Sequence, residues 1–304
     1  MCLRVNFFTV IGAVAVLVLT TGLFSCQQAE ESYYTDKPFY VQSSDAFKIS
    51  ILPTTEEEVS YRIFDETTTI MHGFDSTRQE MYFDFNLSKG IDNYVLQTSD
   101  IQLQIINSDG TSYEFDNNNK ELAPLLKDLQ SFTDHSLEIY TNEGGGVDYF
   151  VDRNYVTNEE RKLKFLENNP KDFFLAAVLP FFEFLPQQAV KVGQTWKNKR
   201  EIRFMGYSFI KNSSYTLLSI DEDGIAKVLE HSTLSTDPTD LQSYQEFNMI
   251  IRLKGETEGY FIVDLNQSIL LSANSNLNME GHMETASESI PIKIRGKGRV
   301  INKN

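Results

Sequence analysis

Residues 161–196 read RKLKFLENNPKDFFLAAVLPFFEFLPQQAVKVGQTW, and they stand between two segments patterned for β-strands. Asn169 followed by Pro170 makes a helix start, because the Asn side chain can accept a free N–H of the first turn and proline has none to orphan. Asp172 places negative charge at that N-terminus, where the helix dipole favours it. The run FFLAAVL is apolar on every face and belongs in an interior. Pro180 and Pro186 cut it short, since proline deletes a helix hydrogen bond and clashes with the preceding turn. The stretch predicts a broken helical plug over 158–189, with Phe173, Phe174, Leu179, Phe181, Phe182 and Phe184 supplying local core. Such a plug either fills a structural interior or lines a site for an apolar ligand. Gly193 then marks a turn into a strand, and Trp196, the sole tryptophan, is either a core or rim aromatic or a stacking platform.

Working outward, alternation with period two dominates both flanks. A strand is expected within Phe39–Leu52, then at Val59–Ile63, Met81–Leu87, Tyr94–Leu96, Ile101–Ile105 and Tyr113–Phe115, with Asp109-Gly110 as a hairpin turn. A short helix is expected after Asp116–Asn119, carrying Leu122, Leu125, Leu126, Leu129 and Phe132 on one face. Strands resume at 137–139 and 147–151 around Gly144-Gly145-Gly146, whose flanks are those of a hairpin and not of a phosphate-cradling loop. Beyond the plug, strands are expected near 202–209, 215–217, 226–234, 247–253, 260–263, 269–272, 277–279, 282–285 and 290–294, with Pro291 suited to an edge or a strand start. Residues 135–151 and 251–264 both read as strand, glycine turn, strand. That echo is either a pseudo-repeat or the common look of antiparallel meanders. The fold class is therefore mainly β with a few short helices (α+β): antiparallel sheets in two β-rich halves, 39–157 and 190–304, joined by the broken helical segment.

The N-terminus reads as an address. Arg4 precedes a nearly unbroken apolar run to Phe24, and Leu23-Phe24-Ser25-Cys26 has the form of a bacterial lipobox. Residues 1–25 are expected to be a signal peptide, Cys26 the lipidated residue and 26–38 a tether. Gln28 in place of Asp favours the outer membrane, facing either the periplasm or the cell surface. Cys2 would leave with the signal, so neither a disulfide nor a cysteine metal site is expected. The chain carries a formal charge of −16, and losing Arg4 makes the remainder −17. Such acidity argues against nucleic-acid partners and against a polybasic membrane patch, leaving the lipid as the membrane attachment.

With the lipobox, the FDFNL strand, LPQQAVKVGQTW, YTLLSIDEDGIAKV and GETEGYFIVD in hand, the chain resembles a domain-of-unknown-function family of Bacteroidota cell-envelope lipoproteins. Pro186, Val190, Lys191, Val192, Gly193 and Trp196 match its central motif, with Gln194 replacing an acidic residue. Gly255, Gly259 and Asp264 match a later segment in which Ser268 stands where glycine is usual. The resemblance implies an envelope compartment and a two-part β architecture, and it brings no activity.

No catalytic or metal constellation emerges. His72, His135, His231 and His282 lie in separate elements without zinc-ligand spacing. Asp221 and Asp223 fall in a hairpin-length turn, too short in ligands for calcium. Glu256 and Glu258 share a strand face without a nucleophile or base beside them. The expectation is a non-catalytic structural or interaction module of the cell envelope, without a cofactor, working through an envelope protein partner. The alternative is a carrier of an apolar or lipid-like ligand held by Phe173, Phe174, Phe181, Phe182 and Trp196.

Overall fold

The computed structural model describes residues 45–54, 57–71, 76–116, 136–141, 147–152, 162–164, 181–204, 207–236, 250–284 and 288–304. They form thirteen strands: β1 (Val59–Met71), β2 (Thr77–Lys89), β3 (Tyr94–Asn107), β4 (Ser112–Asp116), β5 (Ser136–Thr141), β6 (Val147–Asp152), β7 (Lys162–Lys164), β8 (Thr195–Phe204), β9 (Tyr207–Ile220), β10 (Ile225–Thr236), β11 (Ile250–Asp264), β12 (Ile269–Glu284) and β13 (Ser289–Asn302). All belong to one sheet, ordered β7-β6-β5-β3-β2-β1-β13-β12-β11-β10-β9-β8, with β4 paired to β3. Among the described residues, neighbouring strands pair antiparallel, so each half is a meander. The halves meet where β1 pairs with β13, from Tyr61↔Asn302 to Met71↔Ile292. The two β-rich segments thus share one sheet.

That sheet is curled. From β2 to β8 it crosses seven strand spacings, about 34 Å at roughly 4.8 Å each. Yet Phe181 touches Phe85 on β2 with ring centroids 5.0 Å apart, and Phe184 accepts the Trp196 indole N–H of β8 at 2.9 Å through its carbonyl. Four residues of backbone reach at most about 14 Å. The sheet must bend round this short segment for both contacts to exist.

Glycines permit part of the bend. A Cβ on Gly255 would lie 2.1 Å from the Asn278 carbonyl oxygen, and one on Gly259 would lie 2.1 Å from that of Asn274. Both residues run in line within β11, so the expected strand, glycine turn, strand reading of 251–264 is corrected to one strand. The echo with 135–151, where β5 and β6 do form a pair, fails on that account. The short strands expected over 269–285 are likewise one strand, β12.

The expected strand across 39–52 is also corrected. Among the described residues it reduces to a single bridge, Phe47↔Val190, after which Ile49, Ile51 and Leu52 pack into the core without strand pairing. The only described helical turn is at 181–183. The rest of the broken helix and the helix expected after 116 lie outside the described residues. Pro291 sits at the start of β13, opposite His282 and beyond the last β1 partner, where its missing N–H deletes no bond to β1.

Turn chemistry follows the sequence closely. Gly110, Gly193 and Gly224 all have φ of 82°, the left-handed region open to glycine. The Asp221 carboxylate accepts the backbone N–H groups of Asp223 and Ile225 at 3.0 and 2.8 Å, so it serves the turn. Ser268 has φ of 56°. Ser268→Gly should therefore stabilise the chain by about 0.5–1 kcal/mol, the left-handed penalty less the entropy glycine adds to the unfolded chain. A rise in the urea midpoint checks this.

On β2, Asp84 accepts a two-pronged hydrogen bond from Arg62, both arms 2.7 Å, and a third from Lys303 at 2.9 Å. Burial pushes this carboxyl up, but the two cations outweigh it and hold it below its ordinary value of 3.8. A depressed folded-state value contributes stability above that pH, which is lost as pH falls below it. Asp84→Asn should flatten this acid limb, read as a smaller difference between urea midpoints at pH 3 and pH 7.

Candidate functional site

Inward-facing residues form layers across the curled sheet. The lowest is apolar and includes Tyr61, Ile63, Phe83, Phe85, Val228, Phe261 and Val300, packed on the plug. Phe181 contacts Tyr61 at 4.9 Å and Phe182 at 5.0 Å, and Phe184 stacks on Phe261 at 4.0 Å. The Tyr61 hydroxyl accepts the Leu270 N–H at 3.2 Å, and burial pushes its pKa well above that of a free phenol. Phe181 and Phe182 are thus buried among aromatic partners. Trp196 is half-buried, anchored through its N–H and stacked on Tyr215 at 6.0 Å. Phe173, Phe174 and Cys26 lie outside the described residues.

Above this layer the registers line up a polar belt. Asp65, Gly298, Ser275, Gly259, Glu230, Tyr215 and Trp196 make one row across seven strands. Thr67, Gly296, Leu277, Thr257, Ser232, Ser213 and Asn198 make the next. A second apolar cluster follows, containing Met71, Phe209, Leu234, Leu253, Met279 and Ile292.

Four formally charged side chains occupy one end of the belt, all buried: Glu183, Arg200, Lys211 and Glu230. The Lys211 ammonium lies 2.9 Å from Glu230 and 3.2 Å from Glu183. Ser213 donates to Glu183 at 3.3 Å, and Ser232 donates to Glu230 at 2.6 Å. Burial opposes the charge on Lys211, but the two carboxylates more than offset it and hold the ammonium above its ordinary value of 10.5. Burial lowers Arg200, against the pull of Glu183. Its Nη1 stands 3.8 Å from Glu183, and among the described residues neither Nη1 nor Nη2 finds a hydrogen-bond acceptor. Tyr215, buried beside both carboxylates, is raised well above the phenol range.

Strand alternation carried a signal for this cluster that the sequence reading did not use. Inward positions 209, 211, 213, 215 and 217 read Phe-Lys-Ser-Tyr-Leu, and 226, 228, 230, 232 and 234 read Ala-Val-Glu-Ser-Leu. Lys211 and Glu230 break apolar rows at adjacent strands.

The outer face offers a groove of about 570 Å³ over β10–β13. Thr233, Ser235, Lys254, Glu256, Asn278, Glu280, Lys293 and Arg295 line it. Glu256 and Glu258, the carboxylate pair noted in the sequence, are both exposed on this face, and Glu258 approaches His231 at 3.4 Å. His282 pairs with Glu284 at 3.0 Å, so the two described histidines serve different strands. No group of metal-ligating side chains occurs among the described residues.

Residues 168–270 match the model of a family of unknown function (DUF6263). The resemblance to a domain-of-unknown-function family therefore stands over a span that includes LPQQAVKVGQTW. No curated protein matches the chain. Among solved structures, lipovitellin, described for its lipid–protein interactions, is similar at 12% identity and a TM-score of 0.41, over 81% of this chain and 25% of that one. The chain thus spans a quarter of lipovitellin's length. Pseudomonas aeruginosa OccK2 (OpdF), in complex with glucuronate, is similar at 6% identity and a TM-score of 0.24, over 84% of this chain and 100% of that one. Pseudomonas aeruginosa OccK11 (OpdR) is similar at 8% identity and a TM-score of 0.22, over 88% and 100%. At these scores none of the three carries a conclusion about this chain. None of these matches indicates a catalytic family.

Proposed function

We propose that this chain is a non-catalytic interaction module of the cell envelope, held to the outer membrane through lipid on Cys26, whose binding chemistry lies on the outer face of its sheet. The observation that carries this reading is the contrast between the two faces. Phe181 and Phe182 are fully buried against aromatic rings, which supports filling over the wall of a ligand site. The outer groove, by comparison, presents charged and amide side chains to solvent.

A native mass spectrum of the full chain released from detergent tests this. A bare lipoprotein mass is expected; a stoichiometric additional lipid, lost on denaturation, would overturn the reading. Cys26→Ala should also shift the chain from the membrane fraction to the soluble one.

One observation favours the carrier alternative. The buried Arg200 guanidinium, whose Nη1 and Nη2 find no hydrogen-bond acceptor among the described residues, stands in one row with Lys211 and with Leu234 of the second apolar cluster, where the acceptor group of a lipid-like ligand would satisfy it. The same spectrum decides between the two, because that ligand would travel with the protein.

A further inference from the structure

β13 alternates without interruption. Ile292, Ile294, Gly296, Gly298 and Val300 are buried, while Lys293, Arg295, Lys297 and Arg299 point to the outer face. Alternate residues on a strand are about 6.8 Å apart, so the four cations form a row about 20 Å long. In a chain of formal charge −16 this is a marked local reversal. Lys254 of β11 extends the row into the groove. Among the described residues, the side chains of Lys254, Lys293, Arg295 and Lys297 enter no ion pair or hydrogen bond.

The neighbours of the row define what it can accept. On β12, Glu280, Asn278, Asn276 and Asn274 stand opposite Lys293, Arg295, Lys297 and Arg299. On β1 the opposing residues are Ile70, Thr68, Glu66 and Phe64, of which Glu66 is already bound by Arg78 at 2.9 Å. Glu256 and Glu280 add two carboxylates to the groove, beside the hydroxyls of Thr233 and Ser235.

From this arrangement we propose that the outer face of β10–β13 binds an acidic polysaccharide whose charge is carried by spaced sugar carboxylates. Lys293, Arg295 and Lys297 meet the carboxylates, because charge-assisted hydrogen bonds from Lys and Arg are the strong ones available. Asn276 and Asn278, with Thr233 and Ser235, both donate and accept, which suits sugar hydroxyls. Glu256 and Glu280 accept hydroxyl hydrogens, which uronic acid rings offer at several positions and a DNA backbone does not, and this disfavours DNA. This inference rests on the reading of the chain as an interaction module and names its ligand class.

The test is calorimetric titration of the full chain in detergent with polygalacturonate decamer, with a dextran oligomer and a single-stranded DNA decamer as comparisons. Polygalacturonate should bind, weaken at least tenfold between 50 and 300 mM salt, and weaken at least tenfold in K293Q/R295Q/K297Q with an unchanged melting temperature. K199Q, on exposed β8, should bind as wild type does. Absence of polygalacturonate binding, equal or tighter binding of the DNA, or indifference to the triple substitution would each overturn the proposal. Such a failure leaves a bare native mass, and with it the interaction reading, standing. A bound lipid in that spectrum would instead sink the interaction reading whatever the titration shows.

Discussion

Lys211→Met should cost about 3–5 kcal/mol of folding stability, the penalty for breaking a buried ion pair by removing one partner. Methionine matches the lysine stem in length and apolar character, so packing changes little. What changes is that Glu183 and Glu230, both buried and both within 3.2 Å of the ammonium, lose their common counter-ion. Ser213 and Ser232 still donate to them, but a neutral donor does not replace a charge. Replacing all four members with apolar residues of similar volume is expected to be neutral or stabilising, because the desolvation of every charge disappears together. Urea midpoints of the single and quadruple variants measure the contrast.

The same network fixes an alkaline limit. Lys211 is raised above its ordinary value of 10.5 in the folded chain. A raised lysine contributes stability that is fully present below the unfolded value and lost as pH climbs through the folded one. The wild-type urea midpoint should therefore decline above about pH 10.5, whereas Lys211→Met should lack that component. A Lys211→Met midpoint equal to wild type at pH 7 would remove the argument.

Phe184→Ala is the second large effect, about 3–5 kcal/mol, the range for truncating a buried phenylalanine. Phe184 stacks on Phe261 at 4.0 Å and is fully buried. Its carbonyl also holds the Trp196 N–H, so a backbone shift into the cavity would propagate to β8. At about 2–4 °C per kcal/mol for a domain of this size, melting should fall by roughly 10 °C. A fall of less than about 3 °C would show that the plug is not the packed centre of the sheet.

Much of the fold was legible because alternation survives in nearly every strand. Met81, Phe83, Phe85 and Leu87 read as one buried face and are one. Glycine-bearing turns at Gly110, Gly193 and Gly224 were legible because their local chemistry decides them. Strand length was not, because Gly255, Gly259 and Gly281 look like turn formers in isolation. They act instead as close-approach positions inside long strands, a role set by the backbone of β11 and β12. The joining of β1 to β13 was equally hidden, since pairing between the first and last strands depends on the curl of the whole sheet.

The buried charges and the outer row show the same limit from two sides. Phe181, Phe182 and Trp196 were singled out for aromatic character; the structure buries Phe181 and Phe182 among aromatic rings and ties the Trp196 N–H to the Phe184 carbonyl. Lys211 and Glu230 were visible as interruptions of apolar parity, but only the pairing of β9 with β10 and the reach of the lysine stem bring them within 2.9 Å. Lys293, Arg295 and Lys297 were visible as alternate cations, and their meaning comes from the asparagines of β12 that the fold sets opposite them.

The central claim is that the inward charges are structural and the outward cations are available. Lysine acylation followed by mass spectrometry, on the native chain with and without polygalacturonate, addresses both halves of it at once. The account predicts that Lys211 stays unmodified until the chain unfolds, that Lys254, Lys293 and Lys297 react readily, and that polygalacturonate shields those three while Lys199 reacts as before. Modification of Lys211 at the rate of the exposed lysines, or shielding that spares Lys293 and Lys297, would contradict it.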